Sequence, residues 1–147
     1  MADAIFNISK GAFAEKIRDT GTKTLVLLMK DSPEADSVLN DYDDVAALLV
    51  PAANVEANFT SYARKTAIVE TLTVDDSNDR VDVDIPDQTW SPAGNGTNNT
   101  LAKLVTAYEE AAADATRIPS SHHDFVVTTD GSDLTAQIAA AGIMRAS

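Results

Sequence analysis

Cysteine is absent from this 147-residue chain. Disulfides, thiolate metal sites and cysteine nucleophiles are therefore excluded, and nothing in the sequence reports on the redox state of its compartment. Positive charge is scarce: 11 Lys and Arg stand against 23 Asp and Glu, a formal net charge of −12. Beyond the first helix-like segment the cations are Lys23, Lys30, Arg64, Lys65, Arg80, Lys103, Arg117 and Arg145, too scattered to form a basic patch. A protein that neutralises phosphates needs such a patch, so no nucleic acid is expected as a partner, and an anionic membrane surface is disfavoured on the same ground. Long apolar runs are missing too. The longest, Leu25 to Met29 and Val45 to Val50, fall far short of the roughly 20 residues a membrane helix needs. Met1 to Phe6 carries an acid where a signal peptide carries Lys or Arg, and no apolar core region follows, as expected of a chain made in a cytoplasm. The Asn-x-Ser/Thr sequons at Asn7, Asn58, Asn95 and Asn98 then carry no weight as glycosylation sites.

What is present reads as one domain over residues 1–147, with residues 1–8 as a candidate extended arm. A chain of this length buries about 68–70% of its unfolded surface, enough for a core without staples. Ser9, Phe13 and Ile17 predict a short serine-capped helix ending near Asp19 to Gly21. Thr24 to Met29 is a continuous apolar run bounded by turn residues, which predicts a central strand buried on both faces. Between Asp36 and Leu49, the residues Val38, Tyr42, Val45 and Leu49 form a helical stripe opposite Asp41, Asp43 and Asp44, and Pro51 stops it. Phe59 to Val74 is β-branched and aromatic and predicts strand.

Asp75-Asp76-Ser77-Asn78-Asp79 is a turn cluster. After it Val81, Val83 and Ile85 alternate with Asp82 and Asp84, the pattern of a strand with one buried and one wet face, limited or placed at an edge by Pro86. Ser91 to Thr100 reads as a loop. Leu101 to Glu109 fits either element, and its periodicity alone favours helix. Phe125 to Thr128, Asp130-Gly131, and Leu134 to Ile138 read as a hairpin.

No constellation reaches the threshold for chemistry. The run Asp75, Asp76, Asp79, Asp82, Asp84, Asp87 fails the calcium-loop template, which needs glycine at position 6 and glutamate at position 12 where this chain has Arg80 and Pro86. Its ordinary reading is a solvated turn plus the wet face of a strand. Ser120, Ser121, His122, His123 and Asp124 hold the ingredients of a triad, but adjacent residues on an extended segment point opposite ways, and triads draw their members from separate elements. A polar turn before the last hairpin is the expected reading there. Gly94-Asn95-Gly96 lacks any phosphate-loop pattern. No catalytic residue, metal or cofactor is assigned. Trp90 is the only tryptophan, a core or rim aromatic in the ordinary reading and an interface anchor in the functional one. Arg64 and Arg80 divide in the same way between pairing with the chain's own acids, the favoured reading, and contacts to a partner.

One stretch carries a resemblance. Tyr62-Ala63-Arg64 opens a strand, and Asp75-Asp76-Ser77-Asn78-Asp79-Arg80 leads into an acidic strand ending in Asp87-Gln88-Thr89-Trp90. A glycine-bearing loop follows, and then His123-Asp124-Phe125-Val126-Val127 to Asp130-Gly131 and on to Ala141-Gly142. This order resembles a family of small structural proteins of tailed bacteriophages, notably phages of actinobacteria, over roughly residues 5 to 147. Pro92 and the Asn-rich Asn95 to Asn99 depart from the family pattern. The resemblance implies a strand at Leu101 to Glu109, a loop at Ala111 to Thr116, and no catalytic residues. It implies a minor capsid or decoration protein on the virion exterior whose partner is the major capsid protein, acting as a homo-oligomer such as a trimer. A head–tail connector or tail component is the alternative. A small hydrolase or metal-dependent binding protein is the remote one. The expected fold is α+β, mostly an antiparallel β-sandwich or barrel with one or two short helices in the N-terminal half. The residues expected at a partner interface are Phe6, Tyr62, Arg64, Arg80 and Trp90.

Overall fold

The structure, a computed structural model, describes residues 4–6, 8, 23–140 and 142–146. The helix expected between Ser9 and Gly21 lies outside them. Eleven strands are described: β1 (Ala4–Ile5), β2 (Thr24–Lys30), β3 (Val55–Glu56), β4 (Lys65–Ile68), β5 (Thr71–Asp75), β6 (Arg80–Asp84), β7 (Gln88–Trp90), β8 (Thr100–Glu109), β9 (Arg117–Thr128), β10 (Leu134–Ala136) and β11 (Met144–Ala146). Two short helices, α1 (Asp36–Leu39) and α2 (Val45–Leu48), lie in the N-terminal half. The fold is α+β and mostly antiparallel.

The large sheet runs β1-β9-β8-β2-β3, with β4 pairing the other end of β2's outer edge. β2 is buried on both faces as its composition predicts: Val26 and Leu28 join one core, and Leu25, Leu27 and Met29 the other. The second core is covered by α1 and α2 through Leu39, Val45 and Leu48, and by Phe6. The first is covered by two small sheets, β10-β7 and β11-β6-β5, through Val83, Ile85, Trp90, Ala136 and Ile143.

Several expectations are corrected. The stripe from Asp36 to Leu49 is two helices, because the Asp44 carboxylate caps α2 by accepting from the Ala47 amide at 2.7 Å and so breaks the run. The break shifts the phase, so Leu39 and Leu48 are buried while Val38 is exposed. Phe59 to Val74 divides into a loop, β4 and β5. Leu101 to Glu109 is a strand, as the resemblance implies and against the periodicity. The C-terminal hairpin does not form. β9 pairs with β8 and β1, while β10 pairs with β7. The Asp130-Gly131 turn is tied instead to the preceding loop, since Gly131 donates to Ala93 and Ala93 to Ser132, which carries the chain from one layer to the other. His122-His123-Asp124 is therefore not a turn but the middle of a twelve-residue strand.

Candidate functional site

The expected interface residues fall into two groups. Trp90 and Phe6 are core. Trp90 is 1% exposed, its indole N–H donates to the Ala63 carbonyl at 2.8 Å, and the Lys65 ammonium stands 5.2 Å from its ring centroid. Phe6 is fully buried and meets His122 edge-on, with centroids 5.2 Å apart. Neither offers surface to a partner in this fold, so the core reading of both is the one the geometry satisfies.

Tyr62, Arg64 and Arg80 are held inside the molecule's own networks. Tyr62 accepts from the Leu28 amide and donates to Glu56 Oε1 at 2.8 Å. Burial, reinforced by the Glu56 carboxylate, raises the Tyr62 pKa, so it stays a neutral donor. Arg64 makes two forked contacts, with Nε and Nη2 each 2.7 Å from Glu56, and Nη1 and Nη2 at 2.5 and 3.0 Å from Asp114. Arg117 shares Asp114 at 2.7 Å and also holds Glu109. The Arg64 hydrogen bonds hold the Asp114 carboxyl below the usual carboxylate range, against the opposing effect of burial. This alternating chain of acids and guanidiniums ties the loop before β4 to the turn between β8 and β9. Planar arginine forks suit it; a lysine supplies only a point charge. Arg80 reaches Asp75 at 3.1 Å and Asp82 at 3.2 Å, and Asp82 also accepts from Arg145 at 2.5 Å.

The sequence reading missed Lys103. Its side chain is 4% exposed, and its ammonium lies 2.6 Å from Asp36 and 2.5 Å from Asp124. Burial works against its charge, but the two carboxylates outweigh that and its pKa is raised. The available signal was one lysine inside the apolar run Leu101 to Val105. With Lys30 near Asp31 and Lys23 over the Tyr108 ring at 6.0 Å, every cation among the described residues is engaged within the chain.

The histidine cluster splits across the sheet. His122 faces the helices, with Nε2 3.0 Å from Asn40 Oδ1, which makes Nε2 the protonated nitrogen and leaves Nδ1 without a partner. Burial lowers its pKa. His123 faces the other way, and its Nε2 is 2.9 Å from Ser121 Oγ, itself 2.7 Å from Thr106 Oγ1. The expectation that these neighbours cannot converge is thus corrected for Ser121 and His123, because residues two apart on a strand share a face. Ser121 and Thr106 are both fully buried, so this pair satisfies polar atoms in a packed interior and presents no nucleophile to a substrate. Beside it a shallow cavity of about 190 Å³ is lined by Leu104, His123, Phe125, Ile138 and Ile143 among others, below the usual size of a cofactor or drug-sized ligand site. Among the described residues no group of three or more His, Asp or Glu side chains is placed to hold a metal, and no helix is long and apolar enough to cross a membrane.

No family model, no curated protein and no solved structure matches this chain.

Proposed function

We propose that this chain is a non-enzymatic virion protein of a tailed bacteriophage that binds the outer surface of the assembled capsid shell and stabilises it, with the major capsid protein as its partner. The observation that carries the reading is the distribution of charge. The cations among the described residues are turned to internal ion pairs and aromatic rings, while a net charge of −12 is left to dominate the outer field. Such a surface repels nucleic acid and anionic lipid and favours a basic protein face. The resemblance of Asp75 to Trp90 to phage structural proteins supports the same class. Copies repeated by shell symmetry gain avidity from many modest contacts, so no single large interface is required.

The test is quantitative mass spectrometry of purified particles of the encoding phage, counting this chain against the major capsid protein. A ratio near one, or a symmetric fraction such as one-third, is the expected result. Roughly six to twelve copies per particle, as in a closed ring at one vertex, moves the protein to the head–tail connection. Absence from particles refutes the virion assignment.

A further inference from the structure

The three-stranded sheet β5-β6-β11 has two unlike faces. On one, cross-strand pairing brings Thr73, Asp82 and Arg145 into a row and Asp75 opposite Arg80, and the two guanidiniums form ion pairs there with Asp75 and Asp82. On the other, Leu72, Val83 and Met144 pack on the core. The same face then runs on for one more row, Val74 opposite Val81. Rows on one face are about 7 Å apart, and within that step cover is lost: Val83 is 3% exposed and Val74 67%. An apolar row therefore overhangs the end of the core. Immediately beyond it the turn 76–79 is exposed throughout, and Asp76 and Asp79 form no ion pair among the described residues.

The geometry points to the β5-β6 hairpin as the element that docks on a protein surface having an apolar centre and a rim of lysine or arginine. This deepens the shell-binding reading and rests on it. Charge selects the occupant. A second copy would set Asp76 and Asp79 against acids of another chain of net charge −12, and nucleic acid or anionic lipid carries the same sign. A basic-rimmed surface satisfies both parts of the hairpin. It covers Val74 and Val81, and it supplies cations to the two carboxylates that the fold leaves without them. The ion-paired face of the sheet stays toward solvent.

The experiment uses the full chain and purified shells of the encoding phage that lack it, with bound protein measured by co-sedimentation across a salt series. Three variants are compared: Val74→Asp, the double substitution Asp76→Asn with Asp79→Asn, and the control Val126→Asp, at a site on β9 that is 75% exposed. Val74 is exposed enough that the substitution leaves the core untouched, and the double variant keeps the backbone of the turn. The expected result is a loss of about tenfold or more in affinity for Val74→Asp, weaker binding with a flatter salt dependence for the double variant, and wild-type binding for the control. Equal binding by Val74→Asp, or an equal loss in the control, overturns the hairpin assignment while leaving shell binding intact. Failure of the wild-type chain itself to bind shells overturns both. A concentration-dependent dimer in sedimentation velocity that Val74→Asp abolishes makes the hairpin a self-association surface and refutes the basic partner.

Discussion

Replacing Lys103 by methionine isolates one buried charge. The methionine keeps most of the apolar stem and removes the ammonium that lies 2.6 Å from Asp36 and 2.5 Å from Asp124. The two carboxylate oxygens are then at most 5.1 Å apart, the sum of those two distances. Their repulsion is about 3 kcal/mol at an effective dielectric of about 20 and about 0.8 kcal/mol in water. Each carboxylate side chain is 25% exposed, so the cost lies between these limits. Losing the two charge-assisted hydrogen bonds adds to it, and the expected destabilisation at pH 7 is about 2–4 kcal/mol. That corresponds to a fall in Tm of about 5–15 °C for a chain of this size. The pH dependence separates this cause from simple loss of packing. In the wild type the Lys103 hydrogen bond depresses the Asp36 pKa, so its contribution is present above the ordinary carboxylate pKa of about 3.9 and fades as pH falls through the depressed value. In the variant, acid relieves the repulsion once one carboxylate takes a proton. The gap between the two proteins must therefore shrink from pH 7 toward about pH 3–4, and adding Asp36→Asn and Asp124→Asn must recover stability at pH 7. Urea unfolding across that range reads all three. A variant as stable as wild type at pH 7, or a gap that stays constant on acidification, refutes the reasoning.

Trp90→Ala is expected to cost about 3–5 kcal/mol in urea unfolding, since it empties a core site and leaves the Ala63 carbonyl without its donor. Arg64→Lys is expected to lose about 1–3 kcal/mol in thermal melts, with little recovery over Arg64→Ala, because an ammonium cannot fork to Glu56 and Asp114 together. His122 titrates below its ordinary value because it is buried. Its contribution is complete above about pH 6.5 and declines as pH falls through the lowered folded value, with a limiting slope of about 1.4 kcal/mol per pH unit. The charged and titratable groups that act on it are Lys103, Asp36, His123 and Asp124, so His122→Phe should flatten the stability profile just below about pH 6.5 while the carboxylate-driven loss below about pH 4 remains.

What the sequence revealed depended on whether the deciding contact was local. Thr24 to Met29 was legible because an uncharged run of that length, bounded by turn residues, suits a strand covered on both sides. Leu101 to Glu109 misled for the same physical reason. A strand buried on both faces has no need to alternate, and a bulge between Leu101 and Lys103 puts Leu101 and Leu104 into the same core at a helical spacing. Asp130-Gly131 bends the chain, with the Asp130 carboxylate accepting from the Ser132 amide, but it does not close a hairpin, because β10's partner is β7, more than forty residues upstream. Of the expected contact residues, Arg64 finds Asp114 across fifty positions, a pairing no spacing rule encodes. The Ser121 and His123 pair is legible from spacing, because residues two apart on a strand share a face.

The charge arrangement has a consequence for association that the net charge alone does not carry. A cation in an internal pair is held close to its acid, so the pair contributes little to the field more than a Debye length away, about 8 Å at physiological salt. Carboxylates without partners contribute fully. Pairing most cations internally therefore gives the surviving negative charge a position as well as a magnitude, and part of that position is the turn 76–79 at the end of the hairpin. Encounter with a basic surface is then accelerated, the turn is one of the places where the attraction acts, and raising salt weakens that attraction. The apolar overhang at Val74 and Val81 is a short-range contact that salt does not screen. A complex formed this way should associate more slowly in high salt while dissociating at nearly the same rate. A protein held mainly by surface ion pairs would instead lose residence time.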